Sequence, residues 1–169
     1  MKMKRAVYAG SFDPFTYGHR DILRRATALF DEVIVAVLHN PEKRCCLPVT
    51  RRMAIIEDSI KGMENVRVSS FSGLLVDYLR KEDIHFCIRG VRNGIDMDSE
   101  MQTAHINHQL GSDMGYAVET IALFTSPETS YISGSMVRQI ASFGGDVTSY
   151  ASPEAQKALY EYYHISEGR

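Results

Sequence analysis

The residues best suited to chemistry lie in one short turn near the N-terminus, where glycines, a hydroxyl and an imidazole follow a short apolar run. Residues 5–9 are typical of a buried strand, and apolar residues at helical spacing begin at Ile22, so Gly18 and His19 open a helix. The first N–H groups of a helix lack partners within it and the helix dipole is positive there, so this turn predicts a site for phosphate oxygens. His19 adds a side-chain donor that can stabilise charge growing on a phosphoryl oxygen. Gly10 is expected to let the backbone pass closely beneath the ligand.

Asp13 and Pro14 lie inside this turn and are interpreted as the residues that shape it. An aspartate bonds to nearby backbone groups and a proline fixes φ, so both are common in turns. Contact between Asp13 and a metal ion is the weaker alternative.

Further cationic and hydroxyl residues follow later predicted strands. Arg89 and Arg92 lie on either side of a glycine and suit two separate phosphate groups, the alternative being a solvated pair on a loop. Lys43 and Arg44 lie in a loop bounded by prolines, where basic pairs are commonly solvated. Residues 133–138 lead into a helix, and their hydroxyl and N–H groups favour either a second anion site or simple N-capping.

One predicted helix, over residues 96–110, carries two stripes at helical spacing. The polar stripe can face a ligand or the solvent, and the more apolar stripe is expected to be core. The polar stripe consists of Glu100, Thr103 and Asn107, and the other of Met97, Met101, Ala104 and His108.

The elements that must position these residues alternate between strand and helix about five times, which predicts an α/β fold: a Rossmann-like, doubly wound parallel five-stranded sheet with helices on both faces and further helices at the C-terminus. Parallel crossovers place the turns that follow the strands at one edge of the sheet. The predicted strands are residues 5–9, 33–38, 66–71, 85–88 and 117–124, and the predicted helices begin near 18, after a Thr50 cap, and at 74, 96, 135 and 153.

Composition narrows the class of protein further. The 169 residues, 44% of them apolar, suit a single domain over 1–169. A net charge of −2 argues against general nucleic-acid binding, and the absence of a long apolar run or signal-peptide core predicts a cytoplasmic protein without membrane association. The three cysteines form neither a disulfide framework nor a CxxC metal pattern. No Ser/His/Asp or P-loop signature is present.

Several motifs, taken together, resemble the bacterial phosphopantetheine adenylyltransferases. This resemblance implies transfer of AMP from ATP to 4'-phosphopantetheine, with dephospho-coenzyme A and pyrophosphate as products, Mg2+ accompanying the nucleotide, a homohexamer, and coenzyme A as a further candidate ligand. The motifs that carry it are Tyr8–Pro14, Thr16–His19, Ile88–Arg92, Glu100–Gln102 and Ile132–Arg138.

The resemblance also implies roles for individual residues. The catalytic group is Ser11, His19, Lys43 and Arg92. The phosphopantetheine contacts are Ser11, Lys43, Leu75, Arg89 and Asn107. The ATP contacts are Ser11, Phe12, His19, Gly90, Val91, Arg92, Glu100, Thr129, Ser130, Tyr131, Ile132, Ser133, Gly134 and Ser135. No protein side chain is expected to bind the metal.

Three residues depart from the usual family pattern. Ala9 replaces a proline, Ser11 replaces a threonine and keeps the hydroxyl, and Gly134 replaces a serine, so backbone N–H groups must make any contact there. Two alternatives stay open: a related nucleotidylyltransferase that uses nicotinate mononucleotide or glycerol phosphate as acceptor, and a nucleotide-binding module without catalysis.

Overall fold

The computed structural model describes residues 3–41 and 44–165. Within these ranges the chain forms one parallel five-stranded sheet in the order β3-β2-β1-β4-β5. The strands are β1 Arg5–Gly10, β2 Glu32–His39, β3 Val66–Ser72, β4 Phe86–Val91 and β5 Glu119–Phe124. The helices are α1 Tyr17–Ala26, α2 Val49–Ser59, α3 Leu75–Lys81, α4 Gly94–Asp113, α5 Gly134–Ser142 and α6 Pro153–Tyr163.

Helices cover both faces of this sheet, because successive strand side chains alternate between two apolar clusters. On β2, Val33, Val35 and Val37 pack with α1, α2, α5 and α6, whereas Ile34 and Ala36 pack on the side of α3 and α4. A strand buried on both faces explains the unbroken apolar run in the sequence. The predicted α/β, Rossmann-like fold is confirmed, and its strand order reverses between β1 and β4, where such sheets bind ligands.

Several predicted element boundaries differ from the structure, and two of these differences have a clear consequence. Strand β4 continues through Val91, so Arg89 projects from the sheet and Arg92 is the first residue after it, rather than both lying in a turn. Helix α2 begins at Val49 with Pro48 as its N-cap, so Thr50 does not cap it. Pro48 has no N–H and already has an extended backbone, which makes it a natural residue to precede a helix.

Helix α4 buries the opposite stripe from the predicted one. Met101 is 46% exposed, whereas Asn107 is 8% exposed. The polar stripe turns inward because Glu100 bonds to Arg89 on β4. At Gly111 the helix packs so closely that a Cβ atom would lie 2.4 Å from the Tyr116 carbonyl oxygen.

None of the helices in the described ranges combines the length and the apolar character needed to cross a lipid bilayer.

Candidate active site

A cavity of about 440 Å³ opens at the carboxyl edge of the sheet, above the ends of β1 and β4. Its wall combines the turn after β1, the start of α1, residues 44–45 of the segment that follows β2, and the start of α5. The topology therefore brings together turns that are far apart in the sequence, as predicted from the strand and helix alternation.

His19 is fixed in this wall by its own helix N-terminus. The N-cap of α1 is Thr16, whose backbone N–H donates to His19 Nδ1 over 3.0 Å, while the His19 N–H donates to Thr16 Oγ1 over 3.4 Å. This is a capping box in which an imidazole replaces the usual carboxylate. Because Nδ1 accepts a backbone hydrogen, the neutral ring carries its proton on Nε2, the nitrogen free to donate to a ligand.

The surroundings of His19 keep it neutral. Burial, and then the positive charges of Arg92 and Arg89, lower the pKa of His19 to about 4. Its ring stacks on Phe15 with centroids 5.5 Å apart and meets Phe12 edge-on at 5.2 Å. At neutral pH the residue is thus a rigid, uncharged hydrogen-bond donor.

The turn between β1 and α1 owes its shape to Phe12. This residue adopts a left-handed backbone with φ of 47°, and its ring is held against Tyr8 at 5.2 Å as well as against Phe15 and His19. A Cβ atom on Gly10 would lie 3.0 Å from the Phe12 ring. The missing side chain at Gly10 therefore makes room for Phe12, in addition to leaving the backbone open to the cavity.

Arg89 reaches the cavity from inside β4. Its Nε and Nη2 donate to Glu100 over 2.5 and 2.8 Å, and Nη1 donates to the Ala9 carbonyl over 2.8 Å. Such a bidentate pair fixes the plane of the guanidinium, so its remaining N–H bonds have a defined direction. Glu100, predicted as an ATP contact, thus also orients Arg89.

Arg92 is held in the same manner by Asp96, which sequence reasoning missed. Nε and Nη2 of Arg92 donate to Asp96 over 2.7 and 2.9 Å. The two residues are four apart, but Arg92 lies before α4, so the rule for pairs on a helix face does not identify them. Asp96 also lines the cavity, so two arginine and carboxylate pairs face it.

The start of α5 completes the cavity on the far side. Ser133 caps the helix by accepting the Met136 N–H over 3.1 Å, so the capping alternative is realised. Gly134 packs tightly, because a Cβ atom there would lie 3.3 Å from the Asp13 carbonyl oxygen. Arg138 from the same helix lines the cavity and donates to that carbonyl, although sequence reasoning gave it no role.

Most of the predicted site residues share this one cavity. The predicted residues on its wall are Ser11, Phe12, His19, Arg89, Gly90, Arg92, Glu100, Ile132, Ser133, Gly134 and Ser135. Their individual ligands stay predictions.

Other predicted contacts lie elsewhere in the described ranges. Val91 is buried in the sheet, Asn107 is buried on α4, and Leu75 packs partly buried beside the cluster under α3. Residues 129–131 lie outside the cavity wall but next to α1, since a Cβ atom on Gly18 would lie 3.5 Å from the Thr129 carbonyl oxygen. Lys43 lies outside the described residues.

Comparison with known proteins first defines the class. The sequence model of the cytidylyltransferase-like family matches residues 7–140, which include β2 to β5 and all but the first two residues of β1. The solved structure of Plasmodium falciparum nicotinic acid mononucleotide adenylyltransferase complexed with NaAD superposes with a TM-score of 0.71, covering 98% of this chain and 100% of that one. At 15% identity this likeness shows a shared fold.

Sequence relatives then define the family. The phosphopantetheine adenylyltransferase of Thermotoga neapolitana is 42% identical over 97% of this chain and 98% of its own. That of Heliobacterium modesticaldum is 44% identical over 95% of this chain and 94% of its own. The chain belongs to the phosphopantetheine adenylyltransferase family, which confirms the resemblance found in its motifs.

Proposed function

We propose that this chain transfers the AMP moiety of ATP to 4'-phosphopantetheine, giving dephospho-coenzyme A and pyrophosphate, as the names of its relatives imply. The observation that carries this proposal is the Thr16-fixed imidazole of His19 on the wall of a cavity that also holds Arg89 and Arg92. A rigid donor that shares a cavity with two oriented cations suits transfer of a phosphoryl group.

The reaction needs alignment more than proton transfer. A phosphate monoester is already an anion at neutral pH, so no general base has to activate it. One of its oxygens bonds to the α-phosphorus of ATP while the bond from that phosphorus to the pyrophosphate oxygen breaks, and the electron pair leaves with pyrophosphate. The protein must bring two polyanions together and offset their repulsion.

We assign that work to three side chains. Nε2–H of His19 donates to an oxygen of the α-phosphoryl group as its charge grows. Arg89 binds the phosphate of phosphopantetheine, and Arg92 binds ATP phosphates. Because Glu100 and Asp96 already orient the two guanidinium groups, little reorganisation is needed when the substrates arrive.

The start of α5 supports binding of the ATP phosphates. Its first N–H groups lack partners within the helix, and Gly134 and Ser135 lie on the cavity wall. Ser11, Gly90 and Ile132 belong to the same wall. The roles of Lys43, Leu75, Val91, Asn107 and residues 129–131 stay predictions from the family resemblance.

We propose that Mg2+ enters with the nucleotide as part of the substrate. The cavity carboxylates of Asp13, Asp96 and Glu100 already accept N–H donors, and the described residues include no group of three or more potential metal ligands. Phosphate oxygens and water therefore supply the coordination, as Mg2+ prefers in nucleotide sites.

We also propose assembly of several copies, with the homohexamer as the form that the resemblance implies. Support comes from large apolar side chains exposed on α4 and on the edge strand β5: Ile95 at 83%, Ile106 at 60% and Phe124 at 62%. Exposed apolar clusters commonly mark protein interfaces. A cytoplasmic location and binding of coenzyme A stay predictions.

Pyrophosphate release tests the proposed reaction. The protein is incubated with ATP, Mg2+ and one acceptor at a time: 4'-phosphopantetheine, nicotinate mononucleotide or glycerol phosphate. Release with phosphopantetheine that falls about 100-fold or more in His19→Ala supports the proposal. Release with a different acceptor alone reassigns the substrate, and nucleotide binding without any release indicates a non-catalytic module.

A further inference from the structure

The segment that follows β2 is tied to the active-site turn by one buried carboxylate. Asp13 Oδ2 accepts the Cys46 N–H over 2.7 Å, and Oδ1 accepts the Leu47 N–H over 3.0 Å. The residue is 8% exposed. Both carboxylate oxygens thus serve to hold the backbone of residues 46 and 47 beside the cavity.

A buried arginine binds the carbonyl side of the same peptide segment. Arg52, 2% exposed, donates from Nε to the Leu47 carbonyl over 3.0 Å and from Nη1 to the Leu38 carbonyl over 3.2 Å. It also donates to the Ser11 carbonyl. The guanidinium therefore joins the end of β2, the active-site turn and Leu47.

These contacts place functional groups on the cavity wall. Arg44 and Cys45, immediately before the two anchored residues, line the cavity. The buried Leu47 side chain also attaches the segment to the core. Burying two ionised groups as well is costly, and here both groups act on the backbone that carries the cavity wall.

We infer that Asp13 is a positioning residue of this active site. Through the N–H groups of Cys46 and Leu47 it fixes where residues 44–45 line the cavity, and Arg52 binds the carbonyl of the same segment. The assignment of this part of the wall to the phosphate acceptor rests on the proposed function. The tether itself is a property of the fold.

Asp13→Asn is the test variant, because asparagine keeps the size and removes one acceptor. Its NH2 group would face a backbone N–H, so one of the two bonds is lost. The family resemblance assigns the neighbouring Lys43 to phosphopantetheine, so a displaced wall is expected to weaken binding of the acceptor more than binding of ATP. We expect the KM for phosphopantetheine to rise about tenfold. The kcat and the KM for ATP should stay within about threefold of the wild-type values. A variant that is only partly unfolded would show a lower apparent kcat, in proportion to the fraction of active protein, and an unchanged KM.

Thiol labelling supplies a readout independent of activity. Cys45 and Cys46 lie on the tethered segment, with Cys46 Sγ 3.4 Å from the Tyr163 hydroxyl, whereas Cys87 is fully buried and burial raises its pKa to about 11. Ellman's reagent therefore reports on the segment. We expect Asp13→Asn to be labelled at least about fivefold faster, since opening of the segment becomes easier.

Asp31→Asn is the matched control. Asp31 also accepts a backbone N–H, that of Lys4 over 2.7 Å, but at the opposite edge of the sheet. This variant is expected to keep the wild-type KM and labelling rate. If Asp13→Asn does not fold, the same measurements are made on Asp13→Glu, which retains the charge but displaces it by one methylene group.

Two outcomes separate this inference from the proposed function. Unchanged labelling and an unchanged KM in folded Asp13 variants would overturn the tether. Failure of the wild-type protein to use phosphopantetheine would overturn the proposed function, and accelerated labelling in the Asp13 variants would still support the tether.

Discussion

Replacement of His19 tests the chemical core of the proposal. His19→Ala removes the Nε2–H donor and also the Nδ1 atom that accepts the Thr16 N–H. The donor acts on charge that develops during the reaction, so its loss should reduce kcat. The Kd for ATP should stay within about threefold of the wild-type value.

The size of the effect follows from the environment of the ring. One preorganised donor to a developing oxyanion stabilises a transition state by about 2.7 to 4 kcal/mol, so kcat should fall about 100- to 1,000-fold. The lowered pKa of about 4 adds a second expectation. Because the folded enzyme keeps His19 neutral above that value, its contribution should be constant from pH 5.5 to 9.

The assay compares the two proteins across pH. Initial rates of pyrophosphate release are measured for the wild type and His19→Ala at saturating substrate, and the ratio of their kcat values is plotted against pH. The acceptor phosphate titrates near pH 6, but this titration affects both proteins and cancels in the ratio. A thermal melt and an ATP titration establish that the variant is folded and binds nucleotide.

A flat ratio supports a neutral donor. A ratio that falls tenfold per pH unit above about 6.5 would mean that an imidazolium does the work, which contradicts the derived protonation state. Equal losses in ATP affinity and kcat would instead assign His19 to ground-state binding.

Three further changes have defined outcomes. Arg89→Lys loses the bidentate contact with Glu100, so the KM for phosphopantetheine should rise about tenfold in initial-rate kinetics. Gly134→Ala puts a Cβ atom 3.3 Å from the Asp13 carbonyl oxygen and should lower the melting temperature by about 2–4 °C, for a cost of about 1 kcal/mol. Because folding lowers the pKa of His19, the imidazole is protonated in the unfolded chain before it is protonated in the folded one as the pH falls from 6.5 towards 4. Between pH 7 and pH 5 this group alone should therefore lower the free energy of unfolding, measured in urea, by at most about 2 kcal/mol. His19→Asn should not show this loss.

Matched variants serve as controls for these changes. Arg67→Lys alters an arginine on β3 whose side chain is 43% exposed, and it should leave the KM unchanged. Gly94→Ala adds a Cβ atom with nothing within 4 Å, so it should not lower the melting temperature. A KM for phosphopantetheine unaffected by Arg89→Lys would reassign that arginine, and a pH dependence of stability equal in wild type and His19→Asn would remove the argument from its pKa.

The convergence of the site could be predicted because it depends on local signals and one topological rule. The glycine-rich turn, the helix at His19 and the cations after later strands each have a sequence signature, and parallel crossovers bring them to one edge. The fold class and the shared cavity followed from these signals.

The partners that hold the site could not be predicted in the same way. Arg52 looks like a surface residue of a helix. It is buried because three carbonyls meet around it, from the end of β2, the active-site turn and the segment before α2. The inward stripe of α4 was misjudged because apolar residues normally face the core, whereas here Glu100 meets Arg89 across the interface. The Arg92 and Asp96 pair was missed because Arg92 lies before the helix that carries Asp96, where helical spacing gives no signal.

The position of Arg89 within a paired strand limits how the chain can change in length. Side chains alternate along β4, so Ile88 and Gly90 share one face, and a Cβ atom on Gly90 would lie 3.2 Å from Ile22 Cγ1. Inserting one residue between Ile88 and Arg89 would transfer the guanidinium to that crowded apolar side. Insertions and deletions compatible with the enzyme must therefore fall outside β4, whatever loop lengths separate the other parts of the site.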